Sequence, residues 1–269
     1  MPKNAVQLQY EAYVNTPKLW WNNSVYGLEQ FSFTTETSMP FSDPLPKGIR
    51  LGKRVEQFVF HELRQVPQLN LVAQNLQIQQ EKHTLGEIDA LLVKDGTAIH
   101  LEIIYKFYVY DETVGSSELE HWIGPNRKDG LVEKLNKLKL KQLPLLYHQE
   151  TLKFLNTYQL DISNIKQQVL FKAQLFVPYK HTQAEWHEIH TACIMGYYLK
   201  QGDLIDFKDC KFYIPKKANW LLQPQIDVSW LSLDAFSDKM IGYFENQQSP
   251  MVWIKHPKGR MDKVFVVWW

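Results

Sequence analysis

From residue 51 the apolar positions of the chain take up a helical rhythm. Val55, Phe58, Val59 and Leu63 recur at three- and four-residue spacing with charged residues between them, and Pro67 stops the run, so an amphipathic helix is predicted over about 51–66. Upstream, a helix is expected around Leu8 to Val14. Residues 15–48 read as irregular and anchored by aromatics such as Trp20 and Trp21, because Pro40, Pro44, Pro46 and Gly48 exclude one continuous helix or central strand. After Pro67 the period changes to two. Leu69 to Gln79 alternates Leu71, Ala73 and Asn75 against Val72, Gln74, Leu76 and Ile78, as a strand with one wetter face does.

Residues 86–111, GEIDALLVKDGTAIHLEIIYKFYVYD, contain two strand-like runs around Lys94-Asp95-Gly96, a short turn signal. The second run, Ala98 to Tyr110, has so few polar members that it suits a central strand buried on both faces. Asp129 to Leu146 then carries Leu131, Leu135, Leu138 and Leu145 with Lys134, Lys137, Lys139 and Lys141 interspersed, which predicts a basic amphipathic helix ending near Pro144. VLFKAQLFVP, residues 169–178, reads as another strand. Beyond it lie short strands, one helix near Leu233 to Phe244, and an apolar run, FVV, before Trp268 and Trp269 that is expected to pack against the body.

This order of elements predicts an α/β core in which a mixed sheet of four or five strands is flanked by the 51–66 and 128–147 helices, followed by an α+β extension. The expected division is an N-terminal segment over 1–50, a core over 51–178 and the extension over 179–269. Composition narrows the classes. The chain has 269 residues, 45% of them hydrophobic and 22% charged, which suits a folded protein. Its 30 Lys+Arg and 29 Asp+Glu nearly cancel, so nucleic-acid binding must rest on local sites and not on net charge. Two cysteines make no disulfide framework, MPKNAVQLQYEAYV lacks the apolar run of a signal peptide, and no window approaches the ~20 apolar residues of a bilayer span; a cytoplasmic location is therefore expected, with no membrane partner. Glycine-rich phosphate loops, Gly-x-Ser-x-Gly elbows and kinase motifs do not occur, which sets aside nucleotide-driven and serine-hydrolase chemistry.

The candidate chemistry sits in the hairpin. Asp89 and Glu102 are carboxylates within strands otherwise built of Ile, Leu, Val and Tyr, where an acid is costly unless it is paired, solvated or coordinating a cation. On adjacent strands sharing a face, two such groups can converge on one Mg²⁺ or Mn²⁺, a hard ion that takes oxygen ligands and polarises a phosphodiester. Lys106 lies on the same strand as Glu102 and, by parity, on the same face, where an ammonium could steady phosphate charge. The plainer reading of Glu102 and Lys106 is a structural ion pair. His187, His190 and Cys193 recur every three residues, but without an accompanying Cys-x-x-Cys they are read as core or surface residues. The nine tryptophans are scattered and are expected to be mostly core filler.

Gly86-Glu87-Ile88-Asp89, a turn, then Glu102 and Lys106 on an apolar strand resemble the core of the PD-(D/E)xK nuclease superfamily, with the restriction-endonuclease-like fold. Glu56, within LGKRVEQFVFHEL, occupies the place of the helix acid found in the Holliday-junction-resolvase-like branch. Gln142 and Lys134 in DGLVEKLNKLKLKQLPLL match the following helix. GPNRKDGLVEKL with its QLPL tail is similar to a bacterial family known as domain of unknown function 1853. The resemblance covers about residues 51–147. It implies a magnesium-dependent hydrolase acting on nucleic acid, DNA before RNA, with Asp89, Glu102 and Glu56 as metal acids, Lys106 as the orienting cation and Gln142 as a positioning residue. Arg127, Lys128, Lys134 and Lys137 would track the phosphate backbone, and a homodimer or protein partner is compatible with it. The superfamily writes Glu-x-Lys, whereas Lys106 follows Glu102 by four residues, which at ~3.3 Å per residue carries it well along the strand. A bulge, a Lys side chain leaning back or a substitute from Lys134 would restore reach; otherwise the chain is a catalytically impaired relative that binds nucleic acid or serves as a protein-interaction scaffold.

Overall fold

The computed structural model describes residues 4–21, 25–34, 39–181 and 185–269. In chain order its elements are α1 (Ala5–Val14), α2 (Leu51–Leu63), β1 (Leu69–Gln80), β2 (His83–Lys94), β3 (Thr97–Tyr110), β4 (Trp122–Ile123), α3 (Leu131–Lys137), α4 (Gln149–Thr157), β5 (Lys166–Pro178), β6 (Ile194–Leu199), β7 (Lys211–Tyr213), α5 (Leu233–Glu245), β8 (Met251–Lys255) and β9 (Met261–Val266). The class is mixed α/β, as expected. The described residues form nine strands, however, and not four or five, because the region beyond Pro178 contributes four short ones. Two compact units are present: one comprises Lys18–Tyr105 and Glu133–Lys172, the other Met1–Pro17, Lys106–Val132 and Ala173–Trp269.

The first unit holds β1, β2 and the leading parts of β3 and β5, hydrogen-bonded in that order. β1 and β2 pair antiparallel from Leu69↔Lys94 to Gln80↔His83. β2 and β3 join through Asp95-Gly96, both with positive φ (49° and 76°), which is the backbone a two-residue primed turn demands and which Asp and Gly tolerate. That turn pins the register at Lys94↔Thr97, and the ladder continues to Ala90↔Leu101. Ile78, Ile88 and Leu91 pack with Leu146, Leu155 and Ile165 into a buried cluster. The segment read as irregular is irregular where described, residues 22–24 and 35–38 lying outside the described residues; it runs along β5 through bridges at Lys18↔Lys172 and Gln30↔Val169, with Trp20 packed on Phe171.

The helix expected over 129–146 is α-helical only through α3. A π-helical turn at Leu138–Gln142 and a 3-10 turn at Leu143–Tyr147 follow. The change has a local cause in Pro144, which has no N–H for the α-helical ladder and sits at the start of the tighter turn.

In the second unit β4 pairs antiparallel with the end of β3, β5 pairs parallel with β6 and β6 with β9, and β9, β8 and β7 follow antiparallel. α5 is capped by Ser232, whose Oγ accepts from the Ala235 N–H, and packs Phe236 and Met240 onto Phe212, Val252, Ile254 and Val264. The FVV run ends β9 with Phe265 and Val266, continues one residue beyond it at Val267, and is buried. His187 and His190 lie outside any helix, and Cys193 ends a 3-10 turn, so their three-residue spacing builds no common face. No helix among the described residues is long and apolar enough to cross a membrane.

β6 and β9 approach closely at Gly196, where an added Cβ would lie 1.9 Å from the Lys263 carbonyl oxygen. Backbone cannot yield as a side-chain tip can. Gly196→Ala is therefore expected to lower stability in urea unfolding by ~1–3 kcal/mol or more, while Gly202→Ala, which meets open space, stays within ~0.5 kcal/mol of the parent.

Candidate metal centre

The centre lies wholly in the first unit and follows from two periodicities. On α2, Glu56 shares a helical face with Val59, Phe60 and Leu63, all buried, so the apolar stripe draws its carboxylate inward. On β2, Glu87 and Asp89 are two apart and project to one side; extending the Ala90↔Leu101 register by one step sets Asp89 opposite Glu102, with His100 on the same face. Here the ladder itself changes: the Ile103 N–H donates to Asp89 Oδ2 at 2.8 Å, so a side-chain carboxylate receives it.

Glu56, Glu87 and Asp89 each offer an oxygen within 4.8 Å of the others, the first and third buried and Glu87 half-buried. A hard divalent ion with ~2.1 Å metal–oxygen bonds could bridge such a set after modest side-chain adjustment. The Lys53 ammonium enters the same group of oxygens. It donates to Glu56 Oε2 at 2.6 Å, to Glu87 Oε1, and to Asn75 Oδ1 at 3.2 Å. Asn75 holds a left-handed backbone conformation, φ 50°, which Asn adopts more readily than most residues. Burial acts against the Lys53 charge, but Glu56 and Glu87 outweigh it and hold the ammonium above its ordinary range.

Glu102 is fully buried and adjoins this set. Its Oε1 faces His100 Nε2 at 3.1 Å, and its Oε2 accepts from Gln142 Nε2 at 2.5 Å, while Lys134 Nζ donates to Gln142 Oε1 at 2.7 Å. His100 Nδ1 faces Gln167 Nε2 at 3.0 Å, an amide nitrogen that also donates to the Leu143 carbonyl. That amide leaves Nδ1 as the acceptor, so Nε2 carries the proton toward Glu102. Burial pushes His100 down to about 4 and keeps it neutral.

The other expected residues fall elsewhere. Lys106 belongs to the second unit, where its Nζ donates to Asp129 Oδ2 at 2.5 Å. Arg127, in the same unit, pairs with Asp111 and lies over the Trp269 ring. Lys128 and Lys137 are exposed. Glu87, Lys53, Asn75, His100 and Gln167 were not singled out from sequence. Two of them carried a readable signal: Glu87 stands two residues from Asp89 and His100 two from Glu102, the spacing that shares a strand face.

The electrostatics give this centre a testable signature. Burial raises Glu56, Asp89 and Glu102 each to about 7; Lys53 opposes the rise at Glu56, Glu102 adds to it at Asp89, and Lys134 opposes it at Glu102. Between the ordinary carboxyl values, 3.8 and 4.5, and about 7 the folded chain binds more protons than the unfolded one, so these groups stabilise the fold at low pH and that contribution is lost as pH rises through 7. Asp89→Asn keeps an oxygen for the Ile103 N–H and removes one such titration. In melts without divalent cations the variant should gain stability relative to the parent from about pH 5 to about pH 8; a constant difference across that range would contradict the assignment.

One family model, Domain of unknown function (DUF1853), matches residues 34–267, a span that contains every residue of this centre. No curated protein and no solved structure matches the chain. With most of its length matched, the chain belongs to the DUF1853 family.

Proposed function

We propose that this protein hydrolyses phosphodiester bonds of nucleic acid, DNA in preference to RNA, with the help of a divalent cation. The observation that carries the reading is the convergence of Glu56, Glu87 and Asp89 to within 4.8 Å, beside a fully buried Glu102. Carboxylates raised to about 7 by burial are costly to keep together at neutral pH, and a dication offsets that cost. When bound, Mg²⁺ or Mn²⁺ would supply Lewis-acid polarisation of the phosphodiester. Glu56, Glu87 and Asp89 would hold it. His100 and Gln142 hold Glu102 by both of its oxygens and fix that carboxylate beside the cluster. Lys53 is the ammonium beside these acids and can turn to a phosphate oxygen, the role the superfamily pattern gives to its lysine. Lys137, Lys139 and Lys141 are exposed on the segment that carries Gln142 and can follow a phosphate backbone.

A second reading has its own support. Lys106 is held by Asp129 and Lys53 by two carboxylates, so both lysines are engaged within the chain, as in a relative that binds nucleic acid or a protein partner without cleaving. Calorimetric titration of Mn²⁺ and cleavage assays on DNA and RNA separate the two. Asp89→Asn and Glu87→Gln should lose Mn²⁺ binding and cleavage together, Gln142→Ala should lower activity by ~10- to 100-fold, and Lys106→Ala should retain it. Nucleic-acid binding without turnover at any divalent concentration would favour the second reading. Cleavage unaffected by Asp89→Asn would end the first.

A further inference from the structure

A separate group of side chains converges in the second unit, where the ends of β7, β8 and β9 are aligned by the pairs Lys211↔Lys255 and Lys255↔Met261. Extended by one residue, these registers set Cys210 opposite His256 and His256 opposite Arg260, while Asp262 follows Arg260 by two on β9; all four therefore share one sheet face. Tyr197 joins them from β6, opposite Val264 and so on the face of Asp262.

The contacts form a relay. Cys210 Sγ lies 3.5 Å from His256 Nδ1, and His256 Nε2 lies 2.7 Å from Asp262 Oδ2. The same carboxylate oxygen accepts from Tyr197 Oη at 2.7 Å and from Arg260 Nη2 at 3.0 Å. Arg260 Nη2 also stands 3.1 Å from His256 Nε2. A carboxylate fixed by two other donors draws the imidazole proton to Nε2 and leaves Nδ1 as the acceptor facing the thiol. This is the nucleophile, base and orienting acid order of a reactive thiol. Cys193 shows the contrast: it is fully buried, and its sulfur lies 3.8 Å from the Pro17 carbonyl oxygen.

We propose that Cys210, with His256 as base and Asp262 orienting it, is a thiol–disulfide exchange site for small anionic disulfides. The charge of the rim sets the class, since exposed Lys208 and Lys258 outnumber the adjoining Asp209, while Arg260 is balanced by Asp262. Only 5% of Cys210 is exposed, which favours a slender electrophile approached end-on, such as a disulfide sulfur. Burial, with Asp262 and Asp209 beside it, holds the thiol above its ordinary range, so it rests protonated. As Sγ forms a bond to one disulfide sulfur, the thiol proton passes to His256 Nδ1. The original S–S bond breaks, its electron pair leaves on the second sulfur, and that thiolate takes the proton from Nδ1. The products are one mixed disulfide on Cys210 and one free small thiol, and the incoming disulfide is the only oxidant.

The test uses the full chain with oxidised glutathione, an anionic disulfide, and cystamine, a cationic one, read by intact mass and peptide mapping. The folded protein should gain one glutathionyl group at Cys210 and none at Cys193, at a rate at least ~10-fold above that of Cys210 in the denatured chain at the same pH. Oxidised glutathione should outpace cystamine only while the protein is folded. His256→Gln, with its circular dichroism unchanged, should slow the reaction by ~10²-fold. Folded Cys210 reacting no faster than the denatured cysteine would overturn the proposal without any variant, as would a folded His256→Gln protein reacting at the parent rate; faster reaction with cystamine would overturn the anionic class.

Discussion

Carboxylates forced together in a low-dielectric setting are the constraint around which the first unit is arranged. Glu56, Asp89 and Glu102 are buried, and each would be more stable ionised in water than where it stands. The surrounding structure answers with donors: a backbone N–H for Asp89, an imidazole and an amide for Glu102, an ammonium for Glu56 and Glu87. These donors arrive from β3, the segment after α3, and α2, while β5 contributes Gln167 behind His100. Most of the elements of this unit are thus committed to holding one small polar volume inside an otherwise apolar fold, an arrangement that a purely structural core would not need.

Strand register does the assembling in both units. In the first, the Asp95-Gly96 turn fixes which residues of β2 and β3 oppose each other, and with that it decides that Asp89 meets Glu102. A slip of one residue would turn either acid to the other sheet face. In the second, three aligned strand ends bring a thiol, an imidazole and a carboxylate together from positions 210, 256 and 262.

The difference between these two cases explains what could be read from sequence. α2, β1, the hairpin and β5 are legible because each has its own short period, and Asp89 and Glu102 stand out as acids in apolar strands. Glu56 and Gln142 are picked out only by the resemblance to the superfamily pattern, and their partners are not picked out at all. Glu87 is overlooked because an acid beside a turn looks ordinary until the strand is seen to begin before it. The π-helical turn leaves no mark in a pattern tuned to three- and four-residue spacing. The four short strands after Pro178 are too brief to announce a register, so nothing in the sequence joins Cys210 to His256, 46 residues away. Lys106 shows the opposite limit. Its parity with Glu102 is legible, but its partner Asp129 is set by folding far along the chain.

The position of Lys53 changes what cation binding means for this protein. An ammonium already stands among the oxygens of Glu56, Glu87 and Asn75, so a dication arriving there takes part in an exchange and not in a simple addition. The charge of the cluster would change by one unit instead of two as Lys53, partly exposed already, swings toward solvent. Affinity is then governed by the difference between two cations in one cage, and the resting protein carries its own occupant, which offsets part of the repulsion between Glu56 and Glu87 until a better ligand displaces it.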